Sequence, residues 1–297
     1  FILNADDFGL CKAVNRAVLE GYANGLLKSV SLVANGLFFD EAINSIIPQC
    51  PDIGVGIHLN VTEGTSLCED LSTLTNSECV FNNSFLQLLI KAYNPKEKDF
   101  MNELEREFRL QIEKVMSKTP VTHIDSHHYI HAIPKIFDLV CKLAKEYGIN
   151  QVRTHFEKLY IIPDLKKHLN RVYFFNIIKN TFLGFFTLFN EASIHRYGLK
   201  TNDYIVGILY SSIMDALALS YGIMAVKYDN ITLEAFIHPS RYEDGTVNNR
   251  FDEFILTKNK KTPRRAFFLT TVIVLQPLHR THSVSVQGMF PELHRQI

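Results

Sequence analysis

The sequence predicts an α/β fold of (β/α) barrel type, a distorted TIM-like barrel of parallel strands. Three observations carry that expectation. Short apolar or β-branched runs alternate with helical patterns almost from residue 1, which implies parallel strands joined by crossover helices. Acidic and imidazole side chains recur at the ends of those runs, at Asp6-Asp7, His58, His127 and His238, and the C-terminal strand edge is where α/β barrels build active sites. No internal repeat and no Gly-, Ser- or Pro-rich linker divides the chain. One domain over residues 1–261 is expected, followed by a tail of unclear role over 262–297.

The elements follow in order. Phe1 to Ala5 reads as a strand and Ala13 to Tyr22 as a helix, with Val14, Val18 and Tyr22 at helical spacing. Ser29 to Ala34 is a strand closed by Asn35-Gly36, Glu41 to Ile47 a short helix ended by Pro48, and Ile53 to Leu59 a strand with His58 at its tip. Residues 62–98 are turn-rich, a long loop of the kind that forms functional rims. Phe100 to Met116 is an amphipathic helix with Leu104, Phe108, Ile112 and Val115 on one face. Val121 to Asp125 is a strand, Pro134 to Tyr147 a helix closed by Gly148, and Val152 to Thr154 the start of another strand. Residues 157–200 show no clear pattern. The aromatic stretch Tyr173 to Phe189, broken by Asn176, Lys179 and Asn180, is too short and too polar to span a bilayer and reads as a buried or lid-forming segment. Tyr204 to Gly207, a helix around Ile213 to Tyr221, and Leu233 to Ile237 resume the alternation.

Composition narrows the function classes. The 297 residues are 46% hydrophobic and 21% charged, enough to bury a substantial core. Thirty-one basic residues balance 31 acidic ones, so nothing favours nucleic acid or an anionic membrane as partner. The five cysteines are odd in number and form no C-x-x-C pair, which argues against a disulfide framework and a thiolate zinc site. A reducing, cytoplasmic address follows. No signal-peptide pattern is visible, although the chain begins at Phe.

The chemistry-bearing residues lie in three segments: Asn4-Ala5-Asp6-Asp7-Phe8-Gly9, Gly56 to Asn60, and His123 to His131. Neighbouring strand positions point opposite ways, so one carboxylate at a strand end can hold a metal while the next faces substrate. Asp7, His58 and His127 form an open carboxylate–imidazole set for one divalent cation, Mg2+ or Zn2+, which makes hydroxide available near neutral pH. Asp6 is then the candidate general base and His238 the candidate acid. Asp125 is placed to orient a ligand histidine, Arg153 to fix a carboxylate or contact substrate, and His131 to serve around the site. Each has a plainer reading: Asp6-Asp7 as an Asx-capped turn, His58 as a hydrogen-bonded structural residue, His238 as a turn residue before Pro239. His123, His128 and His131 leave a second metal open.

These motifs resemble the YdjC-like carbohydrate deacetylases. The resemblance rests on Asn4 to Gly9, Ser29 to Gly36, Gly54 to Asn60, Pro120 to His131, Asp203 to Gly207 and Glu234 to Pro239, in the family's order over roughly residues 1–255. It implies a barrel-like fold, a divalent metal, and hydrolysis of N-acetyl groups on acetylated amino sugars or short chito-oligosaccharides. By position Asp7, His58 and His127 match the metal ligands, Asp6 the base and His238 the late His-Pro element. Ser240 stands where the family usually has Gly, and the tail from about 262 matches nothing in it. The partners expected are a small carbohydrate and, as an option, a second copy of the chain. A different metal-dependent reaction, on a phosphoester or a sugar carbonyl, is the runner-up; a carbohydrate-binding protein without activity is disfavoured by the retention of both Asp6 and Asp7.

Overall fold

A computed structural model describes residues 1–163, 165–226 and 231–240. The tail expected over 262–297 and the domain end near 261 lie outside the described residues. Six strands form one all-parallel sheet: β1 (Ile2–Phe8), β2 (Ser29–Leu32), β3 (Gly54–Leu59), β4 (His123–Ser126), β5 (Tyr204–Val206) and β6 (Leu233–Ile237), in the order β4-β3-β2-β1-β6-β5. Segment 150–156 joins its two edges. It bonds β4 on one side (Ile124 N to Gln151 O, 2.9 Å; Arg153 N to Ile124 O, 3.1 Å) and residues 200–205 on the other (Val152 N to Lys200 O, 3.0 Å; Ile205 N to Phe156 O, 3.0 Å). The sheet therefore curls on itself, with six strands among the described residues rather than the eight of a full TIM barrel.

Helices cover the outside: α1 (Lys12–Ala23), the single turn α2 (Phe39–Glu41), α3 (Phe85–Tyr93), α4 (Phe100–Met116), α5 (Pro134–Glu146), the short α6 (Leu165–His168), α7 (Arg171–Tyr197) and α8 (Ala216–Ala225). The expected helix Glu41 to Ile47 begins as α2, then widens to a π turn over Ala42–Ile46 and tightens over Ile47–Gln49. Helix α3 lies inside the expected loop 62–98. A capping box starts it, with Ser84 and Gln87 satisfying each other's backbone N–H. Helix α7 accounts for most of the unread segment, from its Asn170 cap to a left-handed Gly198.

Side chains alternate along the strands with consistent chemistry. Leu3, Ala5, Val30, Leu32, Val55, Ile57, Ile124, Ala235 and Ile237 pack with helix residues such as Leu104, Phe108, Phe137 and Val140 in the main core. The intervening positions, Asn4, Asp6, Ser31, His58, His123, Asp125, Arg153 and Glu234, are also buried, and bond to one another. Barrel interiors are ordinarily filled by branched apolar residues. A polar interior is costly unless satisfied, and this one leads directly to the functional cleft.

Candidate active site

The site begins with a defect in β1. Its register with β2 shifts between Ala5 and Phe8, and Asp7 is left-handed (φ 65°). The bulge overrides strict alternation, so Asp6 and Asp7 line the same cleft rather than opposite faces. This corrects the expectation that the two carboxylates diverge. Six described non-glycine residues have positive φ, and four of them (Asp7, His128, Tyr129 and Ser212) line this cleft. Such backbone costs of order 1–3 kcal/mol per residue and concentrates at functional sites.

The cleft has a volume of about 260 Å³ and opens at the C-terminal edge of the sheet. Asp7, His58 and His127 meet at its base, with one donor atom from each lying within 4.8 Å of the others. Asp7 Oδ1 lies 2.8 Å from His127 Nδ1 and 3.3 Å from His58 Nε2, yet it is buried without a hydrogen bond. A carboxylate oxygen and two ring nitrogens that converge without satisfying one another fit a shared cation. The outer nitrogens are each tied down. His58 Nδ1 is 2.7 Å from Asp125 Oδ1, and His127 Nε2 is 3.0 Å from Glu63 Oε1. With those nitrogens donating, His58 Nε2 and His127 Nδ1 keep their lone pairs for a metal. Without a cation both rings are imidazoliums: Asp125 and Asp7 outweigh burial and raise His58 to about 10, and Asp7 likewise raises His127 to about 9. Their charge, His127 foremost, holds the buried Asp7 carboxyl well below the usual carboxylate range, so a metal would bind by displacing the inner ring protons.

Asp6 is held from behind. Arg153 Nη1 donates to its Oδ2 (2.8 Å) and Nη2 to its Oδ1 (2.9 Å), while Asn4 Nδ2 donates to Oδ1 (2.7 Å). The same guanidinium meets Asp125 Oδ2 at 2.6 Å and Glu234 Oε1 at 2.6 Å. Arg153 is 3% exposed, so it positions carboxylates and does not reach the cleft. Burial opposes the charge on both Arg153 and Asp125, but their contact wins: Asp125 is held well below, and Arg153 well above, its ordinary value. Ser31 Oγ donates to Asp125 Oδ2 at 2.6 Å. The second potential donor group, Asp6 with His58 and Asp125, is thus occupied internally, and the geometry favours one cation over two.

The dense histidine cluster separates into distinct roles. His123 lies under the sheet between Ser31 and Thr122, where burial pushes it down to about 4. His128 lines the cleft, bonded to Thr62 Oγ1 at 3.0 Å. His131 is fully buried: its Nε2 donates to Arg153 O at 3.0 Å, and its Nδ1 faces the Ser126 hydroxyl. It supports Arg153 and does not line the cleft. His238 lines the opposite wall at the end of β6, stacked edge-on against Phe236. Residues that sequence reasoning missed include Glu63, Glu234, Tyr129, Lys179, Ser211 and Ser212. Glu234 and Tyr129 stood inside quoted motifs; the others carried no spacing signal, since they arrive from a loop, a turn and helix α7.

Comparison with known proteins follows from this geometry. The sequence model of the YdjC-like protein family matches residues 1–266. The chain belongs to the YdjC-like family. This YdjC-like protein is 38% identical over 149 residues to a carbohydrate deacetylase of Clostridium beijerinckii, covering 50% of this chain and 57% of that one. It is 35% identical over 178 residues to a carbohydrate deacetylase of Thermoanaerobacter pseudethanolicus, covering 59% and 68%. The match thus spans little more than half the length of the first of these relatives. Among solved structures, an Enterococcus faecalis protein described as a cellobiose-phosphate cleavage protein superimposes with a TM-score of 0.62 at 20% identity, covering 91% of this chain and 89% of that one. That likeness shows the fold.

Proposed function

We propose that this YdjC-like protein is a cytoplasmic carbohydrate deacetylase, which removes N-acetyl groups from acetylated amino sugars or short chito-oligosaccharides. The observation that carries the reading is the convergence of Asp7, His58 and His127, with Asp6 beside them in one cleft. The names of the Clostridium and Thermoanaerobacter relatives support the substrate class. A divalent cation, Mg2+ or Zn2+, held by Asp7, His58 and His127 would supply Lewis-acid polarisation of the acetamide carbonyl and acidify water.

The protein's own residues do the rest. Asp6 accepts the proton of the attacking water on Oδ2, which takes one hydrogen bond against the two on Oδ1. Arg153 fixes that carboxylate in place, and Asp125 and Glu63 set the ring orientation of His58 and His127. His238, or the protonated Asp6, returns a proton to the sugar nitrogen as the C–N bond breaks, leaving acetate and a free amine. With no Trp in the chain, Tyr129 at the cleft wall is the side chain placed for stacking on a sugar ring.

Acetate release from diacetylchitobiose tests the reading, with metal content measured in parallel. Asp6→Asn retains metal and loses roughly 10²–10⁴-fold in turnover, the span for a general base. His127→Ala loses the metal as well. Undiminished hydrolysis by the Asp6 variant would refute its role as base.

A further inference from the structure

We infer that Gln111 of helix α4 is a positioning residue for the cation site, acting through the loop that follows β3. The inference rests on the proposed site of Asp7, His58 and His127. Helix α4 buries three polar side chains one turn apart, Glu103, Glu107 and Gln111, beside its apolar face. Burying such groups is costly unless each is satisfied. The loop satisfies them. Glu103 accepts the backbone N–H of Thr73 at 2.8 Å, and Glu107 that of Cys68 at 2.8 Å. Gln111 grips the start of the loop by both backbone groups of one residue. Asn60 N donates to its Oε1 at 2.9 Å, and its Nε2 donates to Asn60 O at 2.7 Å. Glu107 Oε1 takes the other Nε2 proton at 2.8 Å, which leaves the carboxamide a single orientation.

From Asn60 the grip passes to the site. Asn60 Oδ1 accepts the N–H of Thr62 (3.0 Å) and of Glu63 (3.3 Å), and Asn60 Nδ2 donates to Glu63 O at 2.9 Å. Glu63 Oε1 then stands 3.0 Å from His127 Nε2, and Thr62 Oγ1 3.0 Å from His128 Nδ1. Gln111, Asn60, Glu63 and His127 thus form one hydrogen-bonded chain, although Gln111 is fully buried and does not line the cleft. His58 depends on it far less. Strand β3 is paired with β2 through Ile57 and with β4 through Leu59, so the ladder fixes His58 from both sides, whereas Glu63 lies beyond the strand. An untethered loop would spread the Glu63 carboxylate over many placements, few of which hold the His127 ring for a metal.

The Zn2+ affinity of the full chain, read by chelator competition after metal removal, tests the inference alongside urea unfolding. Gln111→Met keeps the length of the side chain and removes both bonds to Asn60. It should weaken Zn2+ binding roughly 10-fold, the low end of the range for loss of a ligand's outer partner. Adding Gln111→Met to Glu63→Ala should change affinity by less than about 2-fold further, because residues acting in series are not additive. Glu103→Gln is the control. It loosens the same loop at Thr73, and should lower stability while Zn2+ affinity stays within about 2-fold of the parent, as for an independent site. If Gln111→Met does not fold, Asn60→Ala breaks the same chain one step nearer the site and carries the same expectations. Parental affinity in the Gln111 variant, full additivity with Glu63→Ala, or an equal loss in Glu103→Gln overturns the inference. A parent chain without Zn2+ affinity overturns the proposed cation site and the inference with it, an outcome recognised because every variant is then silent alike.

Discussion

Replacing Arg153 by Met removes one buried cation from three carboxylates. Methionine keeps the unbranched apolar stem but not the guanidinium, so a small cavity adds to a loss that electrostatics dominates. Asp6 is 2.8 Å away, and Asp125 and Glu234 are each 2.6 Å away. Removing one member of a buried ion pair costs about 3–5 kcal/mol because the partner is left uncompensated. Here three partners are stranded, and the upper end of that range is expected, a large fraction of a domain stability of roughly 5–15 kcal/mol. The deficit should depend on pH. Without the guanidinium, Asp125 loses the largest of the charges that hold it down and keeps only His58 and His123, while Glu234, already raised by burial, rises further. The folded variant then binds more protons than its unfolded chain, so its stability recovers as pH falls, by about 1.4 kcal/mol per pH unit for each extra proton. Urea unfolding at pH 7.5 and pH 5 measures both quantities. A deficit below about 1 kcal/mol, or one that is the same at both pH values, would refute the account of Arg153 as the shared counter-ion. Arg153→Lys should recover part of the stability but not activity, because an ammonium cannot grip Asp6 through two parallel bonds.

Other perturbations follow from the same geometry. Glu157 accepts the backbone N–H groups of Gly207, Ile208 and Leu209, which lead to Ser211 and Ser212 in the cleft, and burial raises it to about 7. Its ionisation therefore costs the folded state stability as pH rises from about 4.5 through 7. Glu157→Gln should gain about 2 kcal/mol on the parent between pH 5 and pH 8, and a pH-independent difference in thermal unfolding would argue against a buried titrating acid. Glu63→Ala should weaken metal binding roughly 10–100-fold without abolishing it, as read by chelator competition; unchanged affinity would remove Glu63 from the account of His127. Gly56→Ala would drive a Cβ into the His123 ring, which Ser31 and Thr122 hold in place, costing about 1–3 kcal/mol in denaturant titration.

Much of this was legible in the chain, and the failures have physical reasons. The strands were visible because their outward positions are apolar, and Asp7, His58 and His127 stood out as acid and imidazole at strand ends. The divergence expected of Asp6 and Asp7 failed because a bulge is a backbone event, with no periodic signature. Helix α7 went unread because its period was inverted: Asn176, Asn180 and Asn190 face inward, where they satisfy loop carbonyls, and the phenylalanines face outward. The expected burial of that aromatic stretch fails for the same reason. Glu63 and Lys179 approach the cleft from a loop and from that helix, and only tertiary structure reveals such convergence.

The stitching of the sheet edges by residues 150–156 has a bearing on how the molecule avoids misassembly. Open parallel sheets leave ladders of unpaired amides that recruit foreign strands. Here the flank of β4 and the chain leading to β5 are both taken up by the one segment, which leaves little template for strand addition among the described residues. Growth into fibres by edge pairing is thereby discouraged. Among the described residues, side chains rather than strand edges are what the molecule offers to a partner.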